Sequence, residues 1–275
     1  MKKKGIALVE RQYLFPFVLI TSLFFLWGFA HAILDVLNKH FQELLTITRT
    51  HSAMIQATMY MGYFIMAIPA GLFINRHGYR KGVVLGLLLY GIGSLLFIPG
   101  QYIASFNMFL FSLFVIGCGL TFLETAANPY VTELGARETA ASRLNFAQSF
   151  NGLGCIFAPI LTGLLLFSDE DKGASGNVAL PYAVMGVIVL LAALAFMRVR
   201  LPELPHEEEV DSEGHRVGLW AHKLFVFGLV ALFAYEVSEI SINSFFINYV
   251  TEVGWMNARD ASLVLSFGGL GLFMV

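Results

Sequence analysis

Residues 13–37 read YLFPFVLITSLFFLWGFAHAILDVL, and this stretch decides the fold. A helix needs about 20 mostly apolar residues to cross the hydrocarbon core of a bilayer. This run of twenty-five residues meets that length and contains one acid, Asp35. It is too long for the apolar region of a signal peptide and lacks a small-residue cleavage site. We therefore interpret it as a retained membrane span.

The composition of the whole chain has the same character. Of its 275 residues, 57% are hydrophobic and 13% are charged, whereas soluble domains carry about 25% charged residues. One soluble core cannot bury so much apolar surface, so lipid is the expected solvent. The net charge of −2 argues against a nucleic-acid partner. Cys118 and Cys155 both lie in apolar runs and are interpreted as core residues, not as a disulfide.

Further apolar runs follow the first, separated by breaks at residues 76–78, 100–101, 133–138 and 168–177. A long polar stretch then precedes the seventh run. This plan predicts an all-α membrane protein: a six-helix bundle at 1–199, a cytoplasmic linker at 200–218, and the first part of a second bundle at 219–275. The predicted spans are Tyr13–Leu37, Ala53–Asn75, Gly82–Pro99, Asn107–Val131, Leu144–Phe167, Pro181–Val199 and Leu219–Val250, with an eighth beginning near Ala258.

The lysines and arginines predict the orientation of these spans. With the amino terminus in the cytoplasm, thirteen of the seventeen basic residues fall on the cytoplasmic side and four outside. That bias agrees with the positive-inside rule. The first six spans also contain a weak repeat: Gly62 and Pro69 in span two have the same offset as Gly152 and Pro159 in span five. Spans one and four each carry one deep acid, as inverted repeats of three helices would predict.

Polar residues in the spans form helical stripes. Residues three or four apart share a helix face, and such residues recur in spans one, four, five and seven. Because ionisable groups cost about 2.5–3.5 kcal/mol at mid-bilayer on insertion scales, they usually face a cavity. We therefore expect the four stripes to line one shared aqueous cavity. They consist of Trp27, His31, Asp35, Asn38 and Gln42; Thr121, Glu124 and Asn128; Asn145, Gln148 and Asn151; and Tyr235, Glu239 and Asn243.

Polar stripes also occur where helices hydrogen-bond to one another, and for Asn128 and Asn145 both interpretations stay open. For Asp35 and Glu124 the cavity is favoured, because no Lys or Arg lies in the core of any span to pair with them. Enzyme motifs leave little trace: the segment at His206 lacks the second histidine of a zinc motif, and no Gly-x-Ser-x-Gly elbow is present. No enzymatic activity and no cofactor are expected.

Residues 71–82, GLFINRHGYRKG, resemble the signature loop of the major facilitator superfamily. The signature residues would be Gly71, Arg76, Gly78, Arg80 and Lys81, with Asn75 in place of the usual acid. Residues 123–131, LETAANPYV, and 143–151, RLNFAQSFN, resemble the L-fucose/proton symporter family more specifically. Residues 24–28, FFLWG, and 239–245, EISINSF, fit the same family, which also contains glucose/galactose and N-acetylglucosamine transporters.

That resemblance implies twelve spans in two halves, of which this sequence supplies about seven and a half, and a monomer when complete. It implies that Asp35 and Glu124 couple proton movement to sugar and that Asn151 contacts sugar. Amides both donate and accept hydrogen bonds, which suits sugar hydroxyls, and an aromatic ring such as that of Trp27 or Tyr63 can stack on a sugar's apolar face. The remaining residues predicted at the substrate site are Gln148, Asn38, Asn128, Glu239 and Trp27.

We therefore expect a proton-coupled importer of a hexose-type sugar in the bacterial inner membrane, whose partners are sugar, protons and lipid. Sodium coupling and an N-acetylglucosamine-type substrate stay open, because side chains alone do not identify the sugar. A non-transporting sugar sensor, an inactive fragment and a drug exporter are the rival interpretations. We expect the 275-residue chain by itself to insert without accumulating sugar, because one wall of the cavity would be absent.

Overall fold

The computed structural model describes residues 8–44, 47–166, 179–198 and 222–274. All regular elements in these ranges are helices, which confirms the all-α membrane fold. Short 3₁₀ turns at Arg11–Tyr13 and Arg137–Thr139 precede the first and sixth α-helices. The α-helices are α1 (Leu14–Leu44), α2 (Arg49–His77), α3 (Tyr79–Leu95), α4 (Phe97–Ile103), α5 (Phe106–Glu133), α6 (Ala140–Leu166), α7 (Ala179–Arg198), α8 (Lys223–Glu252) and α9 (Ala258–Met274).

The described part of each predicted span falls on helices, the third span being divided between α3 and α4, but two details of the boundaries are wrong. The helices begin and end outside the apolar cores, so that only Gly78, at φ 87°, separates α2 from α3. The predicted break at residues 100–101 lies inside α4. The chain instead turns at Ala104, which has φ 52°, and Ser105 then caps α5 by accepting the Met108 backbone N–H at 3.4 Å. Capping chemistry, not hydropathy, decides where this helix ends.

Within the described ranges, six helical segments are long and apolar enough to cross a membrane, so the chain is a multi-pass membrane protein. α6 has 27 residues, and its amino-terminal half carries several amides. α9 has 17 residues. The predicted linker at 200–218 and the start of span seven at Leu219 lie outside the described ranges. The six segments are Arg11–Gln42, Thr50–His77, Tyr79–Ile103, Phe106–Glu133, Ala179–Arg198 and Lys223–Glu252.

The packing partners are exchanged between the two three-helix units, as inverted repeats require. α1 packs against α6, and α5 packs against α2. Glycines make both contacts close: a Cβ added at Gly28 would meet the backbone carbonyl of Asn151, and one at Gly117 would meet that of Met59. Asp35 follows Gly28 by seven residues, and Glu124 follows Gly117 by the same number. The two deep acids therefore occupy corresponding places.

α8 and α9 complete the described molecule on one side. α9 packs against α6, and α8 contacts α1 and α9. Only the carboxyl-terminal part of α8 is buried, at Ser244, Ile247, Asn248 and Val250. Its amino-terminal part, from residue 227 to residue 238, is exposed. The contact between the six-helix bundle and α8 is thus concentrated next to the deep acid of α1.

Candidate functional site

Asp35 lies where α1, α2 and α8 meet. Its Oδ1 accepts a hydrogen bond from the Gln56 amide of α2 at 3.1 Å and another from the Ser244 hydroxyl of α8 at 3.3 Å. Hydrogen bonds to an ionised acceptor are stronger than those between neutral groups. The described partners of the carboxylate are therefore two neutral donors on two different helices.

The polar stripe of α1 continues beyond Asp35 as a hydrogen-bonded seam. The Asn38 amide donates to the backbone carbonyl of Ser244 at 2.8 Å, and its Oδ1 accepts from Gln42 at 3.0 Å. Gln42 also donates to Ser52 of α2 at 2.8 Å. Asn38 is fully buried. Asn38, which is predicted to bind sugar, thus joins α1 to α8. In this conformation its side-chain amide is hydrogen-bonded to other groups of the protein.

The aromatic part of the same stripe contacts α2. The Trp27 indole Nε1 lies 3.2 Å from His31 Nε2 and 3.1 Å from the Tyr63 hydroxyl. His31 Nε2 and the Tyr63 hydroxyl are 2.9 Å apart. Tyr60 packs edge-on against His31, with ring centroids 6.0 Å apart. These four side chains form an aromatic node between α1 and α2.

Glu124 of α5 belongs to the same region but has different surroundings. Its charge interacts with Glu236 of α8 and reaches both Tyr60 and Tyr63. Among the described residues, neither a hydrogen bond nor an ion pair to its carboxylate is found. One turn later on α5, the side-chain oxygen of Asn128 is buried without a described partner. The carboxyl-terminal half of α5 therefore presents an acid and an amide oxygen that have no partner among the described residues.

The acids converge around Tyr60, whose hydroxyl interacts electrostatically with all four of them. The structure thus brings together the predicted residues of spans one, four and seven. None of the four acids forms an ion pair with a Lys or Arg in the described ranges. The same ranges contain no group of three metal-ligating side chains suited to a metal ion. The four acids are Asp35, Glu124, Glu236 and Glu239.

The stripe of α6 is only partly joined to this region. Asn151 packs its backbone against Gly28, and its side-chain oxygen lies 3.9 Å from the Cys155 sulfur. The Cys155 thiol in turn interacts electrostatically with Asp35 and Glu239. Asn145 and Gln148 are exposed, and no contact joins either of them to the acids. Of this stripe, Asn151 contacts α1, the helix that carries Asp35.

Two arginines at the other end of the bundle bind helix carboxyl termini. Arg80, in the signature loop, donates to the carbonyls of Phe196, at 3.1 Å, and Met197 in the last turn of α7. The buried Arg143 donates to the carbonyl of Val131 at 3.0 Å and also to that of Thr132, near the end of α5. Cations stabilise the negative end of a helix dipole. In contrast, Arg76 and Lys81 are exposed, and a Cβ at Gly71 would meet no neighbour within 4 Å.

Sequence reasoning missed the contribution of α2. Gln56 and Tyr60 were not predicted at the site, and Tyr63 was considered only as an aromatic platform. The three residues are spaced four and three apart, so they share a helix face. This spacing was visible in the sequence. Tyrosines are common in membrane spans, however, so a stripe of them is harder to recognise than a stripe of charged residues.

Comparisons with known proteins agree with this architecture. Residues 17–275 match the Major Facilitator Superfamily. The chain is 35% identical over 259 residues to the glucose/galactose transporter of Brucella abortus, covering 92% of this chain and 63% of that protein. It is 34% identical over 282 residues to the L-fucose-proton symporter of Escherichia coli, covering 94% of this chain and 64% of that protein.

The chain is also similar in three-dimensional structure to a solved transporter. The crystal structure of the E. coli fucose–proton symporter matches with a TM-score of 0.71 at 32% identity. The match covers 96% of this chain and 70% of that structure. The chain spans a little under two thirds of the length of the curated relatives it matches.

Proposed function

The chain belongs to the Major Facilitator Superfamily, in the group of L-fucose/proton symporters and glucose/galactose transporters. On that premise we propose that it carries the half of a sugar importer in which proton movement is coupled to sugar movement. The importer moves a hexose-type sugar together with a proton by alternating access. The relatives' names support a sugar substrate, and the symporter among them supports proton coupling.

The observation that carries the proposal is the pair of acids at corresponding places in the two repeats. Asp35 and Glu124 lie in membrane-spanning helices, each seven residues after a glycine that fixes the helix against its neighbour. A charged carboxylate is costly at this depth, and no described cation neutralises either one. Binding a proton removes that cost. Binding of a proton from outside, and its later release inside, would therefore change the relative stability of the outward-facing and inward-facing conformations.

We assign the roles as follows. Glu124, free of described hydrogen bonds, exchanges the proton, and Asp35 is the second coupling carboxylate. Sugar hydroxyls are bound in the region between these acids by Asn151 and Glu239, with Trp27 as the aromatic wall. Gln148 and Asn128 extend the site along α6 and α5, and Asn38 supports it through α8. Rocking of one helical bundle against the other around this site then exposes it to each side in turn.

The test is Glu124→Gln, which keeps the size and hydrogen-bonding capacity of the side chain but cannot titrate. Because the relatives are longer, uptake is measured in a chimaera that joins residues 1–275 to the remaining third of the Brucella transporter. We expect the variant to exchange labelled sugar across the membrane, but not to accumulate it or to alkalinise the medium when sugar is added. Glu138→Gln, at an exposed acid outside the spans, is the control and should accumulate sugar normally.

Accumulation by Glu124→Gln at the rate of the unaltered chimaera would remove the central claim. Uptake that requires sodium and ignores a pH gradient would replace proton coupling by a sodium site, which needs oxygen ligands. Uptake of N-acetylglucosamine in preference to hexoses would change the substrate. These outcomes are read from one assay by changing the gradient, the cation and the labelled sugar.

We also propose that the protein lies in the bacterial inner membrane with its amino terminus in the cytoplasm. The thirteen-to-four distribution of basic residues supports this orientation. A membrane-impermeant thiol reagent applied from outside should then label a cysteine placed at Ser105, between α4 and α5. Labelling only after permeabilisation would reverse the orientation.

A further inference from the structure

The aromatic node between α1 and α2 constrains the protons on its members. An indole N–H can only donate, so Trp27 donates to His31 Nε2 and to the Tyr63 hydroxyl, at 3.2 and 3.1 Å. A proton on His31 Nε2 would face the indole N–H donor directly. Nε2 is therefore the acceptor, and the Tyr63 hydroxyl, 2.9 Å away, donates to it. All three close contacts are satisfied only when His31 is neutral.

A neutral histidine with an unprotonated Nε2 carries its proton on Nδ1. Within the described residues His31 Nδ1 has no hydrogen-bond partner, and the largely buried residue keeps some exposed surface. The aromatic neighbours Tyr60, Tyr63 and Trp27 hold the ring from two helices. The node thus fixes a single N–H donor at the wall of the region that contains the acids.

We propose that His31 is a specificity-determining residue whose Nδ1–H donates to a hydroxyl oxygen of the substrate, while its Nε2 keeps Trp27 and Tyr63 in place. This rests on the function proposed above, with a hydroxyl-rich sugar as the ligand. It separates His31 from proton transfer, because a ring that gained a second proton would lose both bonds at Nε2. The titratable groups near the ring are Tyr60 and Tyr63 of α2, and Glu124, whose charge reaches Tyr63.

Three substitutions in the chimaera separate the two nitrogens. His31→Phe keeps a ring but removes both, His31→Asn retains a donor near Nδ1, and His31→Gln restores an acceptor near Nε2. We expect His31→Phe to raise the KM for sugar about 10-fold, the effect of one lost hydrogen bond, with the proton-to-sugar ratio unchanged. His31→Asn should recover most of the affinity. A KM for His31→Asn as high as that for His31→Phe would overturn the donor role, and a lost proton-to-sugar ratio would make His31 a proton carrier.

Fluorescence tests the node without transport, in the 275-residue chain itself. The chain has three tryptophans, and Trp220→Phe with Trp255→Phe leaves Trp27 as the only one. A protonated imidazole quenches a neighbouring indole, so we expect Trp27 emission to stay constant as pH falls from about 8 to about 6, across the range where free histidine titrates. A quenching step in that range that disappears in His31→Gln would overturn the neutral assignment. An inactive unaltered chimaera with a constant Trp27 signal would contradict the proposed function and leave the node intact.

Discussion

Asp35 and Glu124 occupy corresponding places in the two three-helix repeats, yet their surroundings differ. Each acid follows by seven residues a glycine that packs against the backbone of a neighbouring helix. Asp35 then accepts hydrogen bonds from α2 and α8, whereas no described residue hydrogen-bonds to Glu124. The repeat fixes where the two carboxylates lie, and the neighbouring helices give them different partners. Asp35 is hydrogen-bonded to α8, whereas Glu124 has no hydrogen-bond partner among the described residues.

The largest expected effect comes from the glycines that define the shared position. In Gly28→Leu, even the added Cβ would meet the Asn151 carbonyl oxygen, so α1 must separate from α6. We expect a loss of about 3 kcal/mol or more in stability, measured as thermal unfolding in detergent. Gly117→Leu should lose a similar amount, since its Cβ would meet the carbonyl of Met59.

Gly228→Leu is the matched control, because a Cβ at that glycine of α8 has no neighbour within 4 Å. It should unfold at nearly the temperature of the unaltered chain. Equal unfolding temperatures for the Gly28→Leu and Gly228→Leu variants would show that the close contact of α1 with α6 does not stabilise the six-helix bundle.

The next effect separates the two acids. Asp35→Asn keeps an oxygen that accepts from Gln56 and Ser244 but removes the charge that strengthens both bonds. We expect the chimaera to lose active uptake, and its sugar exchange to fall as well because the contact with α8 weakens. Glu124→Gln should retain exchange. Identical exchange rates in the two variants would mean that the hydrogen bonds of Asp35 do not distinguish it from Glu124.

The smallest effect comes from the contact with α8. Ser244→Ala removes one hydroxyl bond to Asp35, worth about 1–2 kcal/mol, and should favour separation of α8 from α1. Cys155 interacts electrostatically with Asp35. When Cys118 is replaced by Ala, Cys155 is the one remaining thiol, and its rate of labelling measures that separation. We expect thiol labelling of Cys155 to accelerate about 5- to 30-fold, the range that about 1–2 kcal/mol allows.

Ser238→Ala provides the comparison, because that exposed hydroxyl bonds only to Ala234 of its own helix, at 2.9 Å. Its labelling rate should equal that of the parent. If Ser238→Ala accelerates labelling as much as Ser244→Ala, the effect belongs to α8 generally and not to the bond with Asp35.

Much of the fold was predictable because helices in lipid must satisfy their backbone groups internally. Long apolar runs therefore mark helices, and α1, α5 and α7 fall where they were predicted. The break predicted at residues 100–101 was wrong because a helix can continue through a glycine in an apolar run. The turn at Ala104 depends instead on the cap that Ser105 supplies.

The candidate site was predictable where it carries charge and less so where it does not. Asp35, Glu124 and Glu239 stand out because ionisable groups are costly in apolar helices. Gln56 and Tyr60 do not stand out, although they contact or face the same acids. The sequence also could not rank Asn38 against Asn151, since an amide's partners depend on which helix faces it. Asn38 meets Ser244 of α8, 206 residues away in the chain.

The sequence by itself determined the solvent, the helical class, the places of the deep acids and the family to which the chain belongs. Those properties follow from local hydrophobicity, from residue spacing on single helices and from short motifs. The tertiary structure alone decided that α1 packs on α6 while α5 packs on α2, that Asp35 is held by two helices, and that His31 contacts Trp27 and Tyr63. The first of these depends on close backbone approach, which glycines such as Gly28 and Gly117 allow. The other two depend on which side chains of different helices come within hydrogen-bonding distance.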